Sequence, residues 1–170
     1  MIRSTMILAA VAGMATARAD DKKPAEAPYS DAKFVSWTGA CTTAGAQAAE
    51  MATTNAKSNA VKALAQKMID DHKKTPERWK EMAEKVGQPA TAKLDEEHQK
   101  CVTKLKELKG AEFDKEFLLE TIKGHEIAVK QFKKAKETTE NDAIKDFIGD
   151  TLPILENNLE IARKVQADGK

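Results

Sequence analysis

Apolar and polar residues recur along most of the chain at the three- and four-residue spacing of α-helices. Between Ser58 and Lys74 the apolar residues fall on one side, while lysines and a glutamine occupy the other. This pattern predicts an amphipathic helix. His72 lies on its apolar side, next to Asp70 and Asp71. A histidine in that position is the clearest indication of chemistry in the sequence.

The same spacing predicts a helical fold throughout. Helices are expected over about residues 31–56, 92–108 and 112–138, and from about residue 142 to the tail. The helix that begins at Ser58 should continue to about residue 86 with a kink at Pro76, since proline removes a backbone hydrogen bond. No segment shows the period-two alternation of a strand. We therefore predict an all-α fold, a ferritin-like four-helix bundle with a short additional helix in the crossover between its second and third helices.

The N-terminus has the pattern of a secretory signal peptide. Arg3 precedes an apolar stretch, and Ala17, Arg18 and Ala19 form a small-x-small cleavage site. The apolar stretch is shorter than the roughly 20 residues that a spanning helix needs. We expect cleavage after Ala19, with an anchored N-terminal helix as the alternative. The predicted division is a signal peptide at 1–19, a flexible linker at 20–29, a bundle domain at 30–167 and a tail at 168–170, located in the periplasm.

Charge and composition exclude several classes of partner. The chain has 28 Lys and Arg against 27 Asp and Glu, and loss of Arg3 and Arg18 with the leader would leave a net charge near −1. This balance gives no reason to expect binding to nucleic acid or to an anionic membrane. No transmembrane segment is expected after signal cleavage, and the sequence does not identify a partner.

Five motifs resemble a known family. They are DAKFV, VKALAQKMIDDH, GAEFD, GHEIAV and TLPILENNLEIA, and they occur in this order and with similar spacing in exported bacterial proteins of the family DUF4142. The resemblance spans about Ser30 to Ala167 and implies a ferritin-like bundle with no established enzymatic activity. Members often carry Glu where this chain has Gln47 and His where it has Asn158, whereas His72 and His125 match. The resemblance thus implies a Glu and three His facing the bundle interior, two of which are amides here.

These residues allow two interpretations. In the first, His72 and His125 bind a single divalent transition metal with an oxygen from Asp71, or from Glu50 or Glu126. A di-iron site is not expected, because such sites need Glu-x-x-His motifs, and Ile69 and Ile122 stand at the positions of those glutamates. In the second, which we favour, a buried polar network fixes the register of the helices. Its members would be Gln47, His72, His125 and Asn158.

The two cysteines, Cys41 and Cys101, lie on core-facing sides of their predicted helices. In an oxidising compartment they could form one disulfide, or they could be two small buried thiols. His98 lies one turn from Cys101, and a Cys/His pair can bind metal or activate a thiolate. Neither a third ligand nor an orienting group is evident nearby, so we do not expect a nucleophilic cysteine.

The sequence predicts an architecture and a compartment more directly than an activity. We expect a non-enzymatic binding or structural protein of the cell envelope, with stress as a plausible context, and no cofactor. The alternative function is metal binding by His72 and His125 in the bundle interior.

Overall fold

The computed structural model describes residues 29–169, and all regular structure in that part of the chain is helical. The predicted signal peptide and most of the predicted linker lie outside the described residues. The all-α class is confirmed, whereas the ferritin-like topology stays a prediction. The helices are α1 (Asp31–Asn55), α2 (Asn59–Asp71), α3 (Thr75–Lys85), α4 (Glu96–Lys106), α5 (Gly110–Thr138) and α6 (Asp142–Asp168).

The long helices pack side by side, and the short ones fill the spaces between them. Helix α5 packs along α6, and α1 contacts both α2 and α3, which also contact α6. Helix α4, the predicted crossover helix, packs against α1 and α5. Within residues 29–169, no helix is both long and apolar enough to cross a bilayer.

The predicted kink at Pro76 is wrong, because a three-residue turn separates α2 from α3. In a continuous helix the N–H of residue 76 would donate to the carbonyl of His72, and a proline has no N–H to give. Thr75 donates to that carbonyl instead, at 3.0 Å. Pro76 then lies in the first turn of α3, where its fixed φ is favourable. His72 consequently occupies the C-cap of α2, at the junction of the two helices.

The junction between α1 and α2 is held by Asp114, from the GAEFD motif. Its two carboxylate oxygens accept hydrogen bonds from the backbone N–H groups of Lys57, at 3.0 Å, and Ser58, at 2.8 Å. Ser58 caps α2 as its position in the sequence indicates, since its side chain accepts from the N–H of Val61. The aspartate of this motif therefore has a structural role.

Two apolar clusters form the core, one toward each end of the long helices. The Trp79 cluster includes Phe34, Trp79, Phe132 and Ile148, and the Phe117 cluster includes Ala52, Leu64, Phe113 and Phe117. Along α5 and α6, the residues between the two clusters include buried polar side chains. These are Thr121, His125 and Asn158. A polar layer thus interrupts the core of the bundle.

The small residues of α1 serve two different purposes. At Gly39, an added Cβ would lie 2.5 Å from the ring of Trp79, so glycine is needed for the close approach of α3. The indole N–H of Trp79 donates to the carbonyl of Val35 at 2.9 Å. At Gly45, an added Cβ would meet nothing within 4 Å. Close helix packing, which the small residues favour, therefore holds at Gly39 but not at Gly45, six residues later.

Candidate functional site

A cavity of about 200 Å³ lies in the polar layer. Helices α1, α2, α4, α5 and α6 form its walls, and α3 contributes its first residue, Thr75. Its lining is mostly apolar and includes Phe117, Phe132 and Leu155. Small residues on one wall leave the space open, since Ala44, Gly45 and Ala48 follow one another along α1. Two groups of polar side chains line this cavity, one around His72 and His125 and one around Cys41 and His98.

His125 presents a free nitrogen lone pair in the bundle interior. Its Nδ1 lies 2.8 Å from the carbonyl oxygen of Thr121, and because a carbonyl only accepts, Nδ1 carries the proton. In the neutral ring, Nε2 is then an acceptor. This Nε2 is buried and has no hydrogen-bond partner in the structure. A buried acceptor without a partner is uncommon in proteins and needs a physical explanation.

His72 faces His125 from the junction of α2 and α3. The two ring centroids are 6.5 Å apart, and the ring planes are inclined by 54°. Nε2 of His72 lies 3.4 Å from the amide nitrogen of Asn158, and Nδ1 lies 3.4 Å from the hydroxyl of Thr75. Since the Asn158 amide nitrogen only donates, Nε2 of His72 accepts. The other amide atom of Asn158, Oδ1, is buried and without a partner.

Both rings are neutral at pH 7. Burial and, to a smaller extent, the neighbouring His125 lower the pKa of His72 to about 4, while Asp71 acts in the opposite direction. Burial also lowers the pKa of His125, against the hydrogen bond to the carbonyl of Thr121. Neutral imidazoles are the form that binds metal ions. The pair therefore offers two nitrogen lone pairs without the need to release protons.

The carboxylates considered as ligands pair elsewhere. Asp71 forms an ion pair with Lys67 at 2.6 Å, and Glu126 forms one with Arg163 at 2.7 Å, while Glu50 is exposed. Over residues 29–169, no three His, Cys, Asp or Glu side chains are grouped so that they could hold a metal ion. The structure thus brings together His72, His125 and Asn158, and it leaves Asp71 outside that group.

Gln47 is not part of the cavity wall that the histidines share. It is half-buried, and it is not among the residues that line the cavity. Instead, the hydroxyl of Thr75 hydrogen-bonds to the ring of His72, and the backbone carbonyl of Thr121 accepts from the ring of His125. Thr75 lies three residues after His72, so this short spacing was the available signal for its hydroxyl.

A second polar group joins α1 to the start of α4. The thiol sulfur of Cys41 lies 3.3 Å from Nε2 of His98, and Nδ1 of His98 lies 2.8 Å from a carboxylate oxygen of Asp95. Asp95 also caps α4, since the same oxygen accepts from the backbone N–H of His98 at 2.9 Å. Burial raises the pKa of the Asp95 carboxyl. The hydrogen bonds from the backbone and the ring of His98 lower it, and the result is a pKa below the ordinary value.

This arrangement corrects the expectation that His98 has no orienting group. Asp95, three residues earlier, is that group, and the thiol in contact with His98 is Cys41. Cys101 lines the same cavity, and both cysteines are free thiols in the structure. The Cys41–Cys101 disulfide stays a prediction. The Asp-x-x-His spacing, with an aspartate at the start of a predicted helix, was the available signal.

The resemblance suggested by the five sequence motifs can be compared with a family model. A family model described as "Domain of unknown function (DUF4142)" matches residues 13–165. The chain belongs to the DUF4142 family. The resemblance drawn from the motifs is therefore confirmed, and with it the helical fold of a family whose description assigns no activity. No curated protein matches this DUF4142 chain in sequence.

Three solved structures of one protein share the fold. They are CopM in the Cu(I)-bound form (TM-score 0.68), in the Ag-bound form obtained by co-crystallization (0.66) and in the Cu(II)-bound form (0.69). Each is 20% identical to this DUF4142 chain and covers 83–84% of it and 98–99% of CopM. At this identity the similarity establishes a common helical architecture.

Proposed function

We propose that this DUF4142 protein is a metal-binding protein of the cell envelope that holds one Cu(I) or Ag(I) ion between His72 and His125. The observation that carries the proposal is the Nε2 atom of His125, which is buried and lacks a hydrogen-bond partner. A metal ion would supply that partner. The neighbouring Nε2 of His72 contacts only Asn158, at the long distance of 3.4 Å, so it can be displaced.

The ring geometry fits a shared ion. Metal–nitrogen bonds are about 2 Å long, and two such bonds with the ring radii approximate the 6.5 Å between the centroids of His72 and His125. Cu(I) and Ag(I) accept few ligands, whereas zinc sites normally take three or four protein ligands. The described residues provide no third His, Cys, Asp or Glu at this place. The ligand set therefore favours soft monovalent ions over the divalent metal of the sequence-based alternative.

A thioether strengthens this preference. Met68, one turn before His72, lines the same cavity, and Met and Cys sulfur atoms select soft ions such as Cu(I). The CopM structures in Cu(I)-bound and Ag-bound forms support the proposal, because they share this fold and hold ions of that class. In the metal-free protein, the amide of Asn158 would orient the His72 ring through its hydrogen bond to Nε2. On metal binding, this hydrogen bond would be replaced by the bond from Nε2 to the ion.

The test is a titration with Ag(I), and anaerobically with Cu(I), of the chain from Asp20 with both cysteines replaced by serine. This background is required because free thiols bind the same ions. We expect one bound ion, competition with a chromogenic chelator, and a rise of the unfolding midpoint on binding. His72→Gln and His125→Gln should each weaken the affinity by about 10-fold or more, as loss of a ligand or its support does.

His98→Gln is the matched control, since His98 lines the same cavity but contacts Cys41 and Asp95 and not the imidazole pair. It should leave the affinity unchanged. Zn²⁺ should produce no comparable midpoint shift. Stoichiometric binding that survives the double variant His72→Gln/His125→Gln would overturn the proposal.

We also propose that the protein is exported, with cleavage of the leader after Ala19. The support is the arrangement of Arg3, the apolar stretch and the Ala17–Ala19 cleavage pattern. Expression in a Gram-negative host, followed by osmotic-shock release and intact-mass measurement, tests this directly. A released chain that begins at Asp20 is the expected product, and a full-length chain retained with the membranes would contradict export with cleavage.

A further inference from the structure

The second polar group of the cavity has the geometry of an assisted nucleophile. Such sites place a nucleophile within hydrogen-bond reach of a base that a third group orients. The Cys41 sulfur is 3.3 Å from Nε2 of His98, and Asp95 is 2.8 Å from Nδ1. Because the carboxylate accepts the Nδ1 proton, Nε2 is the acceptor that faces the thiol. The Cys41–His98–Asp95 group lies near the surface at the start of α4, where the Asp95 side chain is 48% exposed.

The thiol needs such a base in order to react. Burial, together with the carboxylates of Asp95 and Glu97, raises the pKa of Cys41 to about 12, so the thiol is protonated at neutral pH. Burial and the carboxylates of Glu120 and Glu116 likewise raise the pKa of Cys101 to about 11. Neither cysteine can react as a free thiolate. Only Cys41 has an imidazole at hydrogen-bond distance that can take its proton as a bond forms.

We propose that Cys41, His98 and Asp95 form a thiol–disulfide exchange site for small disulfides, in which Cys41 is the nucleophile, His98 the general base and Cys101 the resolving thiol. The cavity gives an apolar disulfide a place to lie against the thiol. Cys101 lies one turn after His98 on the same helix and lines the same cavity. Both thiols thus open onto one space, in which Cys101 would meet the mixed disulfide that Cys41 forms.

Each step balances in atoms and electrons. The Cys41 proton moves to Nε2 of His98 as the sulfur attacks one sulfur atom of the disulfide. The disulfide S–S bond breaks, and the leaving sulfur takes the proton from His98 as a free thiol. Cys101 then attacks the Cys41 sulfur of the mixed disulfide, and its proton passes to the second leaving sulfur, which is released as a free thiol. One small disulfide is reduced to two thiols, and the two cysteines are oxidised to a disulfide.

The test uses the reduced, metal-free mature chain and dipyridyl disulfide, whose coloured product reports each exchange step. Peptide mass spectrometry after an acid quench assigns the modified cysteine. We expect Cys41 to react first and the wild type to proceed to a Cys41–Cys101 bridge. Cys101→Ser should stop at the mixed disulfide on Cys41. Reaction at Cys101 first, or a wild type that stops at the mixed disulfide, would overturn the proposed roles.

Variants of the base and of its positioning residue complete the test. His98→Gln should slow the reaction of Cys41 by about 100-fold, within the range of general base catalysis. In a Cys41→Ser background, where only Cys101 can react, the same substitution should leave the reaction rate unchanged. Asp95→Asn keeps an acceptor for the helix cap but removes the charge that stabilises the imidazolium. The reaction of Cys41 should therefore slow, with little change in the unfolding midpoint. An unchanged Cys41 rate in His98→Gln refutes the proposal. His72→Gln should react as wild type, which separates this result from that of the metal site.

Discussion

Two of the imidazoles that line the cavity, those of His125 and His98, have different surroundings, and the difference separates two kinds of chemistry. His125 bonds through Nδ1 to a backbone carbonyl, deep in the bundle, and its Nε2 has no partner. His98 bonds through Nδ1 to the carboxylate of Asp95, near the surface, and its Nε2 faces a thiol. A neutral partner in the interior produces a ligand that stays uncharged, whereas a carboxylate at the rim can stabilise the charge that a base acquires.

The largest expected effect is acid destabilisation through the buried pair. The folded state holds the pKa of His72 at about 4, below its ordinary value of 6.5, so the unfolded chain binds the proton more readily. The stabilisation is complete above pH 6.5 and is lost as the pH falls toward 4. The shift corresponds to about 3 kcal/mol. Urea unfolding at pH 7 and pH 4 should show this loss in the wild type and a smaller one in His72→Gln.

The variant His72→Gln serves as the control for this comparison, because it keeps the charged groups near residue 72, including Asp71 and Lys67. Any acid effect of the carboxylates is therefore common to both proteins. Equal losses of stability in wild type and His72→Gln would show that the imidazole is not held neutral by burial.

The next effect sharpens the interior site by adding a ligand. Asn158 is fully buried, and its amide nitrogen lies 3.4 Å from Nε2 of His72. Asn158→His restores the residue that the DUF4142 resemblance implies at this position. It should raise the Ag(I) affinity of the cysteine-free chain by about 10-fold or more, in line with the effect of gaining or losing a supporting ligand. Competition titration measures it.

Gln47→His provides the matched control, since Gln47 does not line the cavity. It should leave the affinity unchanged. A gain in Gln47→His, or none in Asn158→His, would locate the ion away from the imidazole pair.

A smaller effect concerns the rim, where Asp95 serves both the helix cap and the thiol site. Asp95→Ala should lower the free energy of unfolding by about 1 kcal/mol, the usual effect of losing an N-cap. Asp95→Asn should change it by much less, because the amide oxygen can still accept from the N–H of His98. Chemical denaturation distinguishes the two. If both variants lose the same stability, then the carboxylate stabilises the fold by its charge and not by capping.

The smallest effect tests whether the disulfide reagent reaches Cys41 through the cavity. Gly45 lines the cavity and Gly149 lies on the exposed side of α6, and an added Cβ meets nothing within 4 Å at either position. Replacement of either by alanine should stabilise the protein by roughly 0.5–1 kcal/mol. Only Gly45→Ala narrows the cavity, so only this variant should slow dipyridyl disulfide at Cys41. Equal rates in the two variants would mean that the reagent reaches the thiol by another route.

Much of the fold follows from the sequence because helical periodicity records which residues of each helix face inward. His72, His125 and Asn158 were placed on inward sides on separate helices, and they meet in the structure. Gln47 was grouped with them by resemblance, yet it does not reach the cavity. A face can be assigned from one helix alone, but depth along the bundle depends on how the helices are shifted relative to one another.

The rim site escaped prediction for the same reason. Cys41 and His98 are 57 residues apart in the chain, and nothing in the periodicity of either helix indicates which cysteine the histidine meets. The break at residues 72–74 was missed because the apolar pattern continues across it. The cavity could not be foreseen, since a run of small residues can either admit a neighbouring helix, as at Gly39, or leave a gap, as at Gly45.

The division of the core into the Trp79 and Phe117 clusters has a consequence for cooperativity. Helices α1, α5 and α6 contribute side chains to both clusters, whereas α2 belongs to the Phe117 cluster and α3 to the Trp79 cluster. The long helices therefore couple the two halves into one unfolding unit, and each short helix can open while its opposite cluster stays packed. Because His72 lies where α2 meets α3, opening of either short helix admits solvent to the imidazole pair without global unfolding.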